Sequence, residues 1–324
     1  MRAFITGASG FIGTHLVSRL LQDKWQVTIL QHKTNLEGLQ GYQAVQGDIR
    51  DPNTLKNVLK GTDVLFHLAA ALGASQISKK EFSAINVKGT ENVLQAAADA
   101  SVGKVIHFSS AGVLGSVRGN RPVGETHSPS PLVVYDRTKL EAENIALRFA
   151  ARGENVAVVR PGWVYGPGDR RTFKLIKAIA SKKFLLLTKG STCQTPVYID
   201  DLVRGTLLCA GRAGSGEIYH LAGKEGLTVK EITRTIAQAT NVPLAQFPLP
   251  LFALKVAAWK IEKAYALFGK EAPLTRGKLA FFAHPKPLSI QKAVNELGYE
   301  PRWDFKRGME AAVAWYREKG WLPS

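Results

Sequence analysis

Short apolar runs and segments of helical spacing alternate through the first half of the chain. Ala3-Phe4-Ile5 leads straight into Thr6-Gly7-Ala8-Ser9-Gly10-Phe11-Ile12-Gly13, after which Leu16, Val17, Leu20 and Leu21 recur with a helical period. The pattern predicts a strand, a glycine-rich turn and a helix. Residues 26–30 and 42–46 read as further strands, and 52–59 as a helix with Asp51 as its cap. The nearly continuous apolar run 63–70 is what a strand covered on both faces requires. A long helix over 80–100, a strand over 104–108, a helix over 140–151 and a buried strand over 156–160 continue the series. Strands alternating with helices in this way specify an α/β fold built on a doubly wound parallel sheet.

Beyond Pro161 the pattern loosens. Short strands at 184–187 and 217–221 interleave with helices at 201–209 and 229–240, and 249–268 reads as a helix rich in Leu, Phe, Ala and Trp. Lys255, Lys260, Glu262 and Lys263 interrupt it, which argues against a membrane span. Two readings are left for that helix: packing on a C-terminal lobe, or contact with a membrane surface or a partner. The chain closes with an amphipathic helix near 311–316. The predicted division is a core over 1–168, rejoined by 192–222, and a smaller, mostly helical substrate lobe made of 169–191 and 223–324.

The glycine turn carries the first chemistry. Gly7 permits the tight turn, Gly10 lets the backbone approach a pyrophosphate, and Gly13 lets the helix pack closely on its strand. The free amides and positive dipole end of the helix then face the phosphates, with Ser9, Phe11 and Ile12 completing the cradle. The expectation is a Rossmann-type dinucleotide site.

Composition adds little to this until the charge is counted. An apolar content of 45% and a charged content of 21% are ordinary for a globular chain and exclude intrinsic disorder. Cys193 and Cys209 fit no metal-ligand spacing and no disulfide framework, which points to free thiols and a cytoplasmic location. No signal segment is expected ahead of the first strand. The net charge of +17 is the unusual feature. One basic group holds Arg170, Arg171, Lys174, Lys177, Lys182, Lys183 and Lys189, and another Lys255, Lys260, Lys263, Lys270, Arg276, Lys278 and Lys286. A solvated basic face, an anionic substrate and an anionic membrane surface all fit; nucleic acid is disfavoured, because no binding motif accompanies the charge.

Tyr135 and Lys139 stand four residues apart, on one face of a helix. Ser109 and Ser110 close the preceding strand at its carboxyl edge, where open α/β sheets bind ligands. A tyrosine must become about 4 kcal/mol easier to ionise to serve as a base near neutrality. An ammonium at ~4 Å in an effective dielectric near 20 supplies about that much.

Further pieces stand in order along the chain: Gly47-Asp48-Ile49-x-Asp51, His67-x-Ala69-Ala70, Asn86-x-x-Gly89-Thr90, Arg160-Pro161-Gly162-x-Val164-Tyr165-Gly166-Pro167-Gly168-Asp169, Val197-Tyr198-Ile199-Asp200-Asp201 and Leu297-Gly298-Tyr299-x-Pro301. With Thr6-Gly7-x-x-Gly10-x-x-Gly13, Ser109-Ser110 and Tyr135-x-x-x-Lys139, they make the chain resemble the extended short-chain dehydrogenase/reductase family over nearly its whole length. The resemblance implies an NAD(P)-dependent oxidoreductase in which Tyr135 is the general acid/base. Lys139 would hold the nicotinamide ribose and lower the pKa of Tyr135, and Ser110, ahead of Ser109, would hydrogen-bond the reacting oxygen. Asp48 and Ile49 would contact adenine, Leu68, Ala69 and Ala70 the phosphate and ribose path, and Pro161 and Val164 the nicotinamide. Asn86 would be a cofactor contact or a polar contact inside its helix. His67 and His107, in buried strands, read as core residues. Homodimers built on the helices over 80–100 and 140–151 are implied by analogy alone.

Three departures from the family pattern sharpen the reading. Gln31-His32-Lys33 stands where NAD-using members carry an acid, so His32 and Lys33 favour NADP over NAD. Gln194-Thr195-Pro196-Val197 lacks the Arg that sugar-nucleotide epimerases place there, and Leu114 replaces their Tyr. The tail, with Pro273-Leu274-Thr275-Arg276, is closer to the 3β-hydroxysteroid dehydrogenase and dihydroflavonol reductase branch. The leading expectation is interconversion of a ketone and a secondary alcohol on a bulky, largely apolar substrate. The alternatives are a nucleoside-diphosphate-sugar epimerase or dehydratase, with the basic 170–190 segment on the diphosphate, and a non-catalytic cofactor-binding subunit.

Overall fold

The computed structural model describes every residue except 37, 73–76, 248, 267–282 and 324. The chain opens with β1 (Arg2–Thr6), α1 (Phe11–Gln22), β2 (Gln26–Gln31), β3 (Tyr42–Gln46) and β4 (Val64–His67). A helical stretch follows in three parts: α2 (Lys79–Phe82), a π-helical segment (Ser83–Lys88) and α3 (Gly89–Asp99). Next come β5 (Lys104–Phe108), α4 (Val134–Ala151), β6 (Val156–Pro161) and β7 (Trp163–Tyr165). After α5 (Arg170–Ala180) the chain forms β8 (Leu185–Leu186), β9 (Cys193–Gln194), β10 (Pro196–Tyr198), α6 (Ile199–Arg212) and β11 (Ile218–Leu221). The remainder is β12 (Leu227–Thr228), α7 (Val229–Ala239), β13 (Ala245–Gln246), α8 (Leu251–Ala266), α9 (Gln291–Leu297) and α10 (Phe305–Glu318).

Seven parallel strands form one sheet in the order β11-β6-β5-β4-β1-β2-β3. The chain starts in the middle, winds out to β3 and crosses back to β4 on the other side of β1. That reversal opens a crevice at the carboxyl ends of β1 and β4, the ligand position of a doubly wound sheet. Ile5, Phe66, Ile106 and Val159 bury one face of the sheet with Leu16 and Leu20 of α1 and Leu202 of α6. Phe4, Leu65, Val105 and Val158 bury the other with Val93 of α3 and Ala146 of α4. Double coverage is why β4 and β6 have no exposed position, and why their sequences read as apolar runs broken only near their ends, by His67 and Arg160.

Several predicted boundaries move. The helix expected over 52–59 is a single 3-10 turn, Pro52–Leu55, capped by Asp51 and left behind where Asn57 turns to φ 62°. The long 80–100 helix widens at Ser83–Lys88, where Asn86 reaches out of the helix to other chain segments. α4 begins at Val134, which puts Tyr135 in its first turn. α9 is not anticipated by the periodicity, and it stops where Gly298 takes φ 68°. Residues 267 and 268 of the predicted apolar helix, and the basic Lys270, Arg276 and Lys278 with Pro273-Leu274-Thr275, lie outside the described residues.

The last helix is bolted to the core. Asp201 in α6 accepts the Arg302 and Trp303 amides at 3.0 and 2.9 Å, and Arg204 at 2.7 Å. The Tyr316 hydroxyl donates to the carbonyls of Gly166 and Asp169, both at 2.9 Å. Trp303 stacks on Tyr198 with ring centres 4.2 Å apart.

Candidate active site

A cleft of about 700 Å³ runs along the carboxyl edge of the sheet. At its centre the β1–α1 turn is built around two glycines with no room for a side chain. A Cβ on Gly7, at φ 74°, would lie 2.6 Å from the Ala69 amide nitrogen, and one on Gly13 would lie 2.3 Å from the Gly7 carbonyl. Gly10 differs: a Cβ there would meet only the Gly7 carbonyl, at 3.2 Å, so its face opens on the cleft. Gly10 is also the N-cap of α1 and no side chain caps that end. Uncapped amides at a helix start facing a cleft fit a dinucleotide pyrophosphate.

The cleft wall brings together most of the residues singled out in the sequence. Gly7, Ser9, Gly10, Phe11, Ile12 and Gly13 form the turn side. Leu68, Ala69 and Ala70 follow β4, Pro161 ends β6 and Val164 lies in β7. His32, Asp48 and Ile49 line the end beyond β2 and β3, and Ser110, Tyr135 and Lys139 the opposite end. Two are placed elsewhere. Lys33 is exposed and absent from the wall, because the chain turns outward after His32. Asn86 is 1% exposed and sits behind the wall, pairing with the Ala71 amide at 2.7 Å and the Thr138 hydroxyl at 3.0 Å. Asn86 thus bonds chain segments outside its own helix and does not line the cleft.

Other wall residues were not singled out for the site, or carried no assigned role. Arg50 grips Asp48 through Nε at 2.9 and 3.1 Å and through its terminal nitrogen at 2.5 Å, while His32 Nε2 stands 3.2 Å from the same carboxylate. The Arg50 hydrogen bond holds Asp48 below the usual carboxylate range. At the opposite end Arg171, Asp136 and Lys286 join Tyr135. Arg171 could be found only as part of a basic run, and Lys286 reaches the cleft because its amide bonds the Cys193 carbonyl at 2.9 Å.

Ser110 stands with Tyr135 in the cleft wall and eases ionisation of its phenol, and Ser110 Oγ accepts the Gly112 amide at 3.0 Å. Burial pushes the Tyr135 pKa up; Arg171 and Ser110 pull it back, and Asp136 opposes them. Lys139, 3% exposed, donates to the Phe108 carbonyl of β5, and burial lowers its pKa to about 8. Arg171 eases ionisation of Tyr135 in this structure, while the Lys139 ammonium is engaged with the Phe108 carbonyl. A buried ammonium takes the nearest carbonyl acceptor, and β5 supplies it. His67 and His107 lie side by side in register on β4 and β5, buried, with pKa lowered by burial to about 3 for His67 and well below its usual value for His107.

Comparison with known proteins gives the same picture of the whole chain. The NAD dependent epimerase/dehydratase family model matches residues 3–222. The chain is 31% identical over 320 residues to the 4-hydroxy-2-methyl-3-oxo-4-farnesyl-3,4-dihydroquinoline-1-oxide ketoreductase of Stigmatella aurantiaca, covering 96% of this chain and 95% of that protein. It is 28% identical to a putative dihydroflavonol 4-reductase of Synechocystis, over 98% of this chain and 95% of that one. The crystal structure of a dTDP-glucose 4,6-dehydratase from Streptomyces venezuelae with NAD and TYD bound superimposes with TM-score 0.79 at 28% identity, covering 100% and 99% of the two chains.

Proposed function

This chain belongs to the NAD dependent epimerase/dehydratase family, and on that premise we propose that it interconverts a ketone and a secondary alcohol on a bulky, largely apolar molecule. It is an enzyme of the extended short-chain dehydrogenase/reductase type. The observation that carries the finer reading is one cleft in which Ser110 and Tyr135 meet an apolar wall of Ala71, Leu72, Ile77 and Trp163. Such a wall suits a ligand that gains by leaving water.

A bound nicotinamide supplies the hydride acceptor or donor. The protein supplies the proton. Burial keeps the Tyr135 phenol protonated, poised to donate to a carbonyl oxygen as reduction proceeds, and Arg171 and Ser110 stabilise the phenolate left behind. In oxidation the same phenolate takes the proton from the alcohol. Ser110 hydrogen-bonds the reacting oxygen, and Lys139 is the ribose contact, fixed by its bond to the Phe108 carbonyl. The cofactor reading is NADP over NAD. What supports it is the pair of basic side chains, His32 and Arg50, in the wall at the ends of β2 and β3, with no acid at the end of β2.

A second reading, a nucleoside-diphosphate-sugar epimerase or dehydratase, is favoured by Arg171 and Lys286 in the wall. A screen of the purified enzyme with NADPH against apolar ketones, steroids and nucleoside-diphosphate sugars separates the two. Net oxidation of NADPH by apolar ketones is expected, and Tyr135→Phe should lose about 10²–10⁴ in kcat while cofactor affinity holds. Sugar-nucleotide turnover with no net cofactor oxidation would establish the second reading. Retained kcat in Tyr135→Phe would overturn the acid/base assignment.

A further inference from the structure

We infer that the protein docks on an anionic phospholipid surface through α8 and the strand edge beside it. Phe252, Val256 and Trp259 stand at i, i+4 and i+7 along α8 and are 73%, 51% and 47% exposed. The opposite side is the anchored one, with Leu254 and Ala258 buried against Leu187. The outward apolar surface continues into Phe247 and Leu249 just ahead of the helix, and into Leu185 of β8, the strand paired with β13. A helix that served only to cover its lobe would turn polar residues outward at these positions.

Charge identifies the occupant. Lys182, Lys183 and Lys189 flank β8 in the chain, Lys260 and Lys263 follow Trp259 on α8, and all five are exposed. A second copy of the chain would bring the same cations and the same net charge of +17 against them, whereas anionic headgroups neutralise them. Exposed apolar side chains with lysines close by in the chain, and a tryptophan among them, are the composition of a helix lying in the plane of the headgroups. No helix among the described residues is long and apolar enough to cross a membrane, which agrees with lying on it. The inference stands apart from the choice of substrate.

The test is sedimentation of the full chain with vesicles of phosphatidylcholine alone and of phosphatidylcholine with about a third phosphatidylglycerol. Binding is expected only to the mixed vesicles, weakening steeply as salt is raised. Phe252→Ser with Trp259→Ser should abolish it with an unchanged melting temperature, since both side chains are on the outer side of α8. Lys182→Gln with Lys183→Gln should weaken it about five-fold for each charge removed. Failure to bind either vesicle overturns the inference, as does binding indifferent to both double variants. Loss of a concentration-dependent dimer in Phe252→Ser/Trp259→Ser, with no vesicle binding by the parent protein, would assign the surface to a second copy instead.

Discussion

Asp48 is held from two sides, by the fork of Arg50 and by the His32 ring. That arrangement sets the Arg50 guanidinium and the His32 ring at the cleft end where β2 and β3 finish, and if NADP is the cofactor they are the groups that meet its additional phosphate. Replacing Arg50 by Gln removes a charge-assisted contact worth about 1.5–3 kcal/mol. NADPH binding, followed by its fluorescence, should then weaken about ten-fold or more, while NADH binding changes little. Equal loss for both cofactors would mean that Arg50 acts only through Asp48. His32 could be read from the sequence because it directly follows a recognisable strand. Arg50 could not, since it becomes a neighbour of His32 only when the sheet lays β3 beside β2. The same limit hides Lys286, carried to the wall by a backbone bond to Cys193.

Two elements carry the Tyr135 end of the site, α4 and β6, and a buried ion pair pins them together. Arg160 donates to both Glu143 oxygens, at 2.9 and 2.5 Å, and both side chains are 2% exposed. Its other terminal nitrogen reaches the Glu125 carbonyl at 3.1 Å. Glu143→Gln leaves a guanidinium buried without its counter-charge, which costs about 3–5 kcal/mol. The urea midpoint should fall accordingly with an unchanged slope; a midpoint equal to the parent's would show that the pair contributes nothing net. A second set of contacts steadies the start of α4. The Ala69 amide is 3.3 Å from Thr6 Oγ1, Thr6 meets His67 Nδ1 at 2.6 Å, and His67 Nε2 meets Thr90 at 2.9 Å. Thr90 bonds the Asn86 carbonyl, Asn86 the Thr138 hydroxyl, and Thr138 the carbonyl of Tyr135. With His67 neutral, a proton on Nε2 lets each neighbour donate or accept in turn. Hydrophobic periodicity finds the helices that carry these residues but not the π-helical widening around Asn86, because one inserted residue barely disturbs a helical repeat.

For the molecule as a whole, the histidines set a lower pH limit. His67, His107 and His220 are buried, and burial lowers their pKa to about 3, well below the usual value, and to about 4 respectively. Each is neutral when folded and free to take a proton, near pH 6.5, when unfolded. Their contribution is complete above pH 6.5 and is lost as the pH falls toward the folded values. At pH 5 the loss is about 2 kcal/mol for each of His67 and His220. Urea midpoints should therefore drop between pH 7 and pH 5, and His220→Gln should flatten that slope; a midpoint independent of pH would refute the assignment. The α/β class and the cofactor half of the cleft are readable in the sequence, since glycines and apolar strands act locally. The other residues around Tyr135 are not, because Trp163, Arg171 and Lys286 arrive from separate segments beyond β6, where the pattern is less regular.

The bolting of α10 to the core has a consequence for how the enzyme is made. A nascent chain emerging without α10 already contains every strand of the sheet and the whole glycine turn, yet lacks the Tyr316 hydroxyl that ties down Gly166 and Asp169. Those two carbonyls belong to the connection between Val164 and Arg171, both in the cleft wall. The sheet and the glycine turn are thus laid down ahead of α10 in the chain, whereas the wall around Tyr135 is tied down only once α10 has docked.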